Sequence, residues 1–181
     1  MRIIVTGALG HIGSRVVREL PKVFPNSEII MIDNLLTQRY ASLFNLPKNV
    51  NYQFYEEDIL TTDLKSIFEG SDVALHLAAI TDATNSFQNR KQVETVNYEG
   101  TVKVAEACKE VGCPMIHLSS TSIYGTQKET VSEDCSSEDL SPQSPYAETK
   151  LKEENFLRSF SSDRTFQFVI FRFGTICGTS P

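Results

Sequence analysis

The chain has few cysteines and no long apolar segment. Only four cysteines occur among its 181 residues, and none stands in a C-x-x-C pair or at a spacing typical of zinc sites. We therefore predict free thiols in a reducing compartment and no bound metal. No stretch reaches the length of a membrane-spanning helix, and the apolar run after Met1 is shorter than the core of a signal peptide. These absences lead us to expect a cytoplasmic protein without a membrane partner.

The chain also lacks an excess of basic residues. It has 17 lysines and arginines against 23 aspartates and glutamates, which gives a formal net charge of −6. Because acids and bases are mixed along the chain, this charge offers no surface for a nucleic-acid backbone. We also find no internal repeat and no low-complexity segment, so the length favours one domain.

Short apolar segments alternate with helical ones along the chain. We predict helices after the glycine-rich segment, over residues 90–112 and from Tyr146 onward, and a polar loop over residues 125–145. Six segments are predicted as strands, namely RIIVTG, EIIMID, VNYQFY, DVALHLA, PMIHLSS and FQFVIFRFG. Several of these strands are apolar on both faces. The pattern therefore predicts an α/β fold of the Rossmann type, with a doubly wound parallel sheet in the order 3-2-1-4-5-6.

The first predicted strand leads into a glycine-rich segment, VTGALGHIG. Gly7 permits a tight turn, Gly10 lets the backbone approach a pyrophosphate, and Gly13 lets the helix pack close to the strand. The helix N-terminus then attracts phosphate oxygens. His11 and Ile12 lie inside the segment and belong to the predicted binding set, with His11 as a space filler rather than a base. We predict dinucleotide binding here, and a merely structural turn is the alternative.

An acidic residue ends the second predicted strand. Asp33 lies twenty residues after Gly13, where a carboxylate accepts hydrogen bonds from the adenosine ribose. The same carboxylate repels a 2′-phosphate and so favours NAD over NADP, although Arg39 stands nearby. Asp58, after the third strand, is assigned either to the adenine amino group or to capping of the next helix.

A second group of polar residues has the composition of a proton-transfer site. Tyr146 and Lys150 are four residues apart on a predicted helix and so share a face, while Ser120 ends the fifth strand. A nearby lysine cation favours the phenolate of a tyrosine, and a serine hydroxyl can hold a substrate oxygen. These residues together could deprotonate an alcohol as hydride leaves it. By itself, the tyrosine–lysine spacing is also that of a half-buried tyrosine beside a surface lysine.

Six short motifs occur in a specific order. They are TGALGHIG, DNL, HLAA, NYEGT, SSTSIYG and SPYAETK. In this combination the chain resembles the extended short-chain dehydrogenase/reductase family, and within it the NAD-dependent epimerase/dehydratase branch that acts on nucleotide sugars. The resemblance extends from residue 1 to about residue 178.

The resemblance implies a role for each matching residue. Ser120 matches the catalytic Ser/Thr, Tyr146 the general acid/base, and Lys150 the residue that holds the nicotinamide ribose and tunes the tyrosine. Asn97 is implied to support the long helix beside the active site. The residues that the resemblance assigns to NAD are Gly7, Gly10, Gly13, Asp33, Asn34, Asp58, Ile59, Leu77, Ala78, Ala79, Asn97, Tyr146 and Lys150.

Two positions depart from the family pattern. Members that dehydrate a sugar carry an Asp-Glu pair directly after the catalytic Ser/Thr, where this chain has Thr121 and Ser122. The difference argues against dehydration between C4 and C6. Many members also have asparagine three residues after the arginine of the last strand. Here Thr175 follows Arg172, which weakens the assignment to a nucleotide sugar.

Family members are usually much longer than this chain, and their extra half builds a substrate-binding lobe. We therefore expect residues 1–181 to be an NAD-binding domain from which most of that C-terminal lobe is absent. A fragment or an incomplete gene product is the favoured explanation, and a naturally short form is the alternative.

The leading hypothesis is an NAD-dependent 4-epimerase that converts a nucleotide sugar through a transient 4-keto intermediate. An oxidoreductase, decarboxylase or dehydratase of the same family is an alternative, and so is a protein that binds NAD without chemistry. The resemblance also implies a homodimer formed by the helices at 90–111 and from Tyr146. The alternative is that the apolar faces of these helices only cover the sheet.

Overall fold

The computed structural model describes residues 1–126 and 130–176. The strands are β1 (Arg2–Thr6), β2 (Glu28–Asp33), β3 (Asn51–Glu56), β4 (Val73–His76), β5 (Met115–Ser120) and β6 (Phe168–Phe173). The helices are α1 (His11–Val23), α2 (Leu64–Phe68), α3 (Arg90–Val93), α4 (Gly100–Val111) and α5 (Pro145–Arg158). Single 3₁₀ turns occupy Tyr40–Leu43, Asn85–Phe87, Thr121–Tyr124 and Ser137–Asp139.

All six strands form one parallel sheet in the order β3-β2-β1-β4-β5-β6. Ile3 of β1 pairs with Ile29 of β2 on one side and with Val73 of β4 on the other. The chain therefore reverses its direction of winding between β1 and β4, and the carboxyl ends of these two strands leave a crevice between them. The predicted α/β class, parallel sheet and strand order are confirmed.

The sheet is apolar on both faces, as its central strands predict. Alternate residues point to opposite sides, so that Ile4 and Ile30 pack with Phe68, whereas Ile3 and Val17 pack in a second cluster on the other face. Each face is covered by helices, which is why nearly every residue of β1 and β2 is buried.

The helix that follows β4 is not regular along its length. Residues 90–111 are helical throughout, but Glu94–Glu99 between α3 and α4 adopt the wider π-helical form. Gly112 ends α4 in the left-handed conformation, with φ of 70°. The predicted helix is thus confirmed, and the wider segment is a feature that periodicity did not indicate.

Strand β6 forms one edge of the sheet and has an exposed face. Val169, Phe171 and Phe173 alternate with half-buried neighbours and are 50, 45 and 37% exposed. An exposed apolar strip on an edge strand is a surface with which another polypeptide segment can associate.

Cys108 and Cys113 are buried free thiols, and Cys135 is a partly buried one. The fourth predicted thiol, Cys177, lies outside the described residues. Of the helices in the described ranges, none combines the length and apolar composition needed to cross a bilayer.

Candidate cofactor and catalytic site

The turn between β1 and α1 requires glycine at two of its three glycine positions. Gly7 has φ of +64°, and a Cβ atom there would lie 2.6 Å from the backbone nitrogen of Ala78. A Cβ atom on Gly13 would lie 2.2 Å from the carbonyl oxygen of Gly7. Side chains are therefore excluded where β1, β4 and α1 converge, and the backbone itself forms the floor of the crevice.

The N-terminus of α1 is left open to a ligand. Gly10 occupies the N-cap position, and no side chain in the described part of the chain caps the helix there. The first turn contains no acidic residue, so its free N–H groups and the helix dipole favour an anion. His11 is exposed and Ile12 is half-buried at this point. The arrangement suits a diphosphate.

Asp33 is held rigidly at the end of β2. Its Oδ2 accepts a hydrogen bond from the backbone N–H of Leu9 at 3.0 Å, and its Oδ1 accepts one from Leu35 at 2.9 Å. A carboxylate has about four lone-pair positions, so two bonds leave acceptor capacity toward the crevice. Asp33 therefore has the position and the free acceptors that ribose hydroxyls need.

Asp58 is tied to Asn34 rather than to a helix terminus. Its Oδ2 accepts a hydrogen bond from Nδ2 of Asn34 at 3.0 Å, and its Oδ1 accepts one from the N–H of Leu60 at 2.9 Å. The residue that caps α2 is Asp63, whose side chain accepts from Ser66 N–H. The interpretation of Asp58 as the cap of that helix is wrong, because the chain makes a further turn before α2 begins.

An open cleft extends from the glycine turn along the carboxyl edge of the sheet. Nine of the predicted cofactor residues line the cleft, namely Gly7, Gly10, Asp33, Asn34, Asp58, Ile59, Leu77, Ala78 and Ala79. The structure therefore brings most of the predicted cofactor residues into one groove, although their contact with a cofactor remains a prediction.

Asn97 fixes the wall of this groove. It is buried within the π-helical segment, where its Oδ1 accepts from the N–H of Ile80 at 2.7 Å and its Nδ2 donates to the carbonyl of Ile80 at 2.9 Å. Both backbone hydrogen-bonding groups of Ile80 are thus satisfied by one amide side chain. Asn97 joins the loop after β4 to the π-helical segment and is not among the residues that line the cleft, so its contact with NAD stays a prediction.

Ser120 and Tyr146 lie on elements that pack against each other. Helix α5 packs on β5 and on the turn Thr121–Tyr124 that follows it. Ser144 caps α5 by accepting from the N–H of Ala147, and the N–H of Tyr146 donates to Oγ of Ser86 at 3.3 Å. Ser86 is buried and was missed by the sequence reasoning. It joins the loop after β4 to the first turn of α5.

Lys150 is almost fully buried, and its ammonium is directed to another residue of α5. Its Nζ donates to Oε2 of Glu153 at 2.8 Å, and the same oxygen lies 3.0 Å from Nε2 of His117. Burial acts to raise the pKa of Glu153, but attraction to Lys150 and hydrogen bonding with His117 outweigh it and lower the pKa to about 2. The carboxylate is therefore ionised at neutral pH.

Two stacked histidines lie beneath this pair. The rings of His76 and His117 are 5.8 Å apart, and His76 contacts the hydroxyls of Thr6 and Thr101 at 2.8 and 3.1 Å. Burial is the main cause that lowers the pKa of His76 to about 3, and burial also lowers the pKa of His117. Both rings are neutral at physiological pH.

Sequence reasoning did not single out Glu153 or His117. The spacing of Lys150 and Glu153, three residues apart on a predicted helix, could have indicated their contact. His117 gave no such signal, because its approach to the helix depends on how α5 lies across β5.

The positions that depart from the family pattern, residues 121, 122 and 175, carry hydroxyl side chains and no carboxylate. Ser122 donates its hydroxyl to Oγ of Ser120 at 2.9 Å, and Thr121 is exposed. Arg172 pairs with Glu154 and donates to the hydroxyl of Tyr124, while Thr175 is exposed beyond β6. No carboxylate immediately follows Ser120.

Comparison with known proteins places this geometry in context. A family model described as the NAD dependent epimerase/dehydratase family matches residues 3–181. An uncharacterized UDP-glucose epimerase of Bacillus subtilis (strain 168) is 36% identical over 185 residues, covering 98% of this chain and 57% of the relative. A dTDP-D-glucose 4,6-dehydratase of Dictyostelium discoideum is 30% identical over 194 residues, covering 98% of this chain and 44% of the relative.

A solved structure shares the fold closely. The UDP-glucuronic acid 4-epimerase from Bacillus cereus, in complex with UDP-glucuronic acid and NAD, superposes with a TM-score of 0.84 and 33% identity. The match covers 95% of this chain and 56% of that one. The chain thus spans about half the length of the relatives that it matches.

Proposed function

Because the chain belongs to the NAD-dependent epimerase/dehydratase family, we propose that residues 1–181 form the NAD-binding domain of a nucleotide-sugar 4-epimerase. The family predicted from the six motifs is confirmed, and so is NAD as the cofactor on which that family depends. The reaction, the sugar and the domain bounds are the proposal.

The residues of the cleft fit NAD. The diphosphate would lie on the N–H groups of the Gly7–Gly13 turn, and the adenosine ribose would bind Asp33. A Cβ atom at Gly7 or Gly13 would collide with backbone atoms. Glycine at these two positions therefore allows the close packing that lets a ligand approach the backbone of the turn. When bound, NAD supplies an acceptor and donor of hydride.

The chain's own groups would handle the proton and the substrate oxygen. Tyr146 would take the proton from the sugar C4 hydroxyl and return it after the 4-keto sugar has turned over in the site. Ser120 would hold that oxygen during the transfer, and its hydroxyl is already engaged with Ser122. Lys150 would favour the ionised phenol through its positive charge. Because these groups are held in fixed positions on one helix and at one strand end, their orientation would supply the rest of the rate acceleration.

One observation favours epimerisation over dehydration. Elimination of water from the sugar needs a base for the C5 proton and an acid for the C6 hydroxyl. The places after Ser120 hold the hydroxyls of Thr121 and Ser122, which serve neither purpose at neutral pH. The dehydratases among the relatives, such as the one from Dictyostelium discoideum, leave this alternative to be tested directly.

The proposal is tested by incubating the protein and NAD with UDP-glucose, UDP-glucuronic acid or UDP-N-acetylglucosamine and separating the sugar products. We expect a C4 epimer from at least one of them, with no net NADH. Tyr146→Phe should abolish turnover and leave NAD binding intact, whereas Tyr40→Phe, at a tyrosine 52% exposed, should change neither. An active Tyr146→Phe variant would refute the assignment.

Other products would identify the alternatives. Accumulating NADH indicates an oxidoreductase, released CO₂ a decarboxylase, and a 4-keto-6-deoxy sugar a dehydratase. NAD binding without any product from the protein indicates a non-catalytic role.

We also propose that the protein is a homodimer, formed by the outer faces of α3, α4 and α5. Within one chain, ion pairs hold α5 against α3 and the π-helical segment, since Arg90 pairs with Glu148 and Lys152 with Glu94. Sedimentation analysis would test this, and a monomer at all concentrations would contradict it. A cytoplasmic location stays a prediction.

A further inference from the structure

We propose that Glu153 is a positioning residue for Lys150. Its buried carboxylate holds the lysine ammonium in place and keeps it charged while Tyr146 exchanges protons with the substrate. This inference rests on the proposed function, because it assumes that Tyr146 is the acid/base. It adds to that function a residue which does not touch substrate or cofactor and acts only through Lys150.

The geometry of the pair is that of a built interaction. The side chain of Glu153 is fully buried and that of Lys150 is 6% exposed, with 2.8 Å between Nζ and Oε2. The two residues are three positions apart on α5, so the helix itself sets their separation. Neither charge would be retained at such depth without the other, because an isolated buried ion instead gains or loses a proton.

The carboxylate is more strongly committed to Lys150 than to any other group. His117 approaches the same Oε2 from β5 at 3.0 Å. The other oxygen of Glu153, Oε1, is buried without a hydrogen-bond partner in the described part of the chain.

The surrounding ionisable groups leave this pair electrically isolated. His76 on β4 and His117 on β5 are neutral at physiological pH, because burial lowers the pKa of each. Glu154, the next residue on α5, is neutralised by Arg172 of β6. The charged side chains on α3 and on the π-helical segment that face α5 are paired at the surface, as Arg90 with Glu148 and Lys152 with Glu94. Tyr124 of the turn after β5 accepts from Arg172.

Removing the charge of Glu153 has a definite sign. In Glu153→Gln the side chain keeps its size and an acceptor oxygen, but the ammonium of Lys150 loses its counter-ion. A buried cation that loses its counter-ion favours its own neutral form and, while charged, the ionised form of a nearby phenol. Both limbs of a bell-shaped pH profile should therefore move to lower pH, by about one unit.

The test compares three variants in the protein that turns over substrate. Glu153→Gln should show the displaced profile. Glu153→Asp keeps the charge but withdraws it from Nζ, so its limbs should stay in place while kcat falls about tenfold. Glu148→Gln is the matched control, because Glu148 is an exposed glutamate on the same helix, and it should change neither quantity.

A second readout does not depend on turnover. In protein labelled with ¹³Cε-lysine, the titration midpoint of the Lys150 resonance should be lower in Glu153→Gln than in the parent protein. If the midpoint moves but no sugar is epimerised, the proposed function fails, whereas the pairing of Glu153 with Lys150 is supported.

Two results would overturn the inference. One is a Glu153→Gln variant whose activity falls equally at every pH with an unmoved lysine titration, which is the behaviour of a merely structural residue. The other is full kcat in Glu153→Asp, which would show that the position of the carboxylate is immaterial. This second result also decides the question if Glu153→Gln does not fold.

Discussion

Replacing Gly7 by alanine tests whether the crevice depends on the close approach of β1 and β4. Gly7 has φ of +64°, and its hypothetical Cβ lies 2.6 Å from the nitrogen of Ala78. Gly70 offers a matched control, because it has φ of +72° but nothing within 4 Å of its Cβ position. Both variants acquire the same backbone strain, and only Gly7→Ala acquires the collision.

The difference between the two variants can be estimated. Left-handed backbone costs an alanine about 1 kcal/mol, so Gly70→Ala should lower the free energy of unfolding by about that amount. The collision in Gly7→Ala involves backbone on both sides and cannot be relieved by a rotamer change. It should add about 1–3 kcal/mol, the usual range for an overpacked site.

Urea unfolding measures how much stability each variant loses. The rise in unfolding free energy on adding NAD measures how well each variant still binds the cofactor. A ligand at one hundred times its Kd stabilises a protein by about 2.7 kcal/mol, and each tenfold loss of affinity removes about 1.4 kcal/mol. We expect Gly70→Ala to keep the full NAD effect and Gly7→Ala to lose most of it. Equal destabilisation and equal NAD responses in the two variants would refute the close-approach argument.

Three further predictions concern the loop clamp, a buried histidine and the edge strand. Asn97→Ala should lower the free energy of unfolding by about 2 kcal/mol, because it leaves the N–H and the carbonyl of Ile80 unpaired, and urea unfolding would show it; a change below about 0.5 kcal/mol would contradict the clamp. His76 is neutral when folded and, with a pKa of about 3, binds a proton only on unfolding between about pH 3 and pH 6.5. Stability should therefore fall as the pH falls through that window, and His76→Asn should flatten the dependence between pH 6.5 and pH 4.5; an unchanged slope would show that His76 is not responsible. Phe171→Lys places a charge on the exposed face of β6 and should reduce any concentration-dependent light scattering without lowering the melting temperature. Unaltered scattering would show that this face does not mediate association.

The elements that sequence predicted well are those with a local cause. Strand β2 is a run of β-branched and apolar residues bounded by Asn26 and Asp33, and its predicted bounds are those found. Pro145 and Ser144 start α5, and Gly112 ends α4, by mechanisms that involve only neighbouring residues. The strand order followed from the right-handed crossover rule, which needs only the alternation of elements.

The features that sequence reasoning missed depend on the approach of distant segments. Glu153 stands in the charged run KLKEENFLR, which indicates a solvated helix face, yet α5 is rotated so that this carboxylate is buried against β5. Ser86 looks like an ordinary loop residue until Tyr146 arrives from 60 positions away. Asp58 was a plausible cap for α2 because the added turn that makes Asp63 the cap has no strong signature.

The sequence by itself determined the alternation of strands and helices, the glycines of the first turn, the acid after β2 and the family to which they belong, since each of these is written in adjacent residues. Only the tertiary structure decided that Lys150 shares a buried carboxylate with His117, that Asn97 clamps Ile80, and that one face of β6 is left uncovered. The physical reason is that burial and charge pairing depend on the angle and depth at which α5 and the π-helical segment pack on the sheet. Those quantities arise from the summed contacts of many residues and from no local pattern.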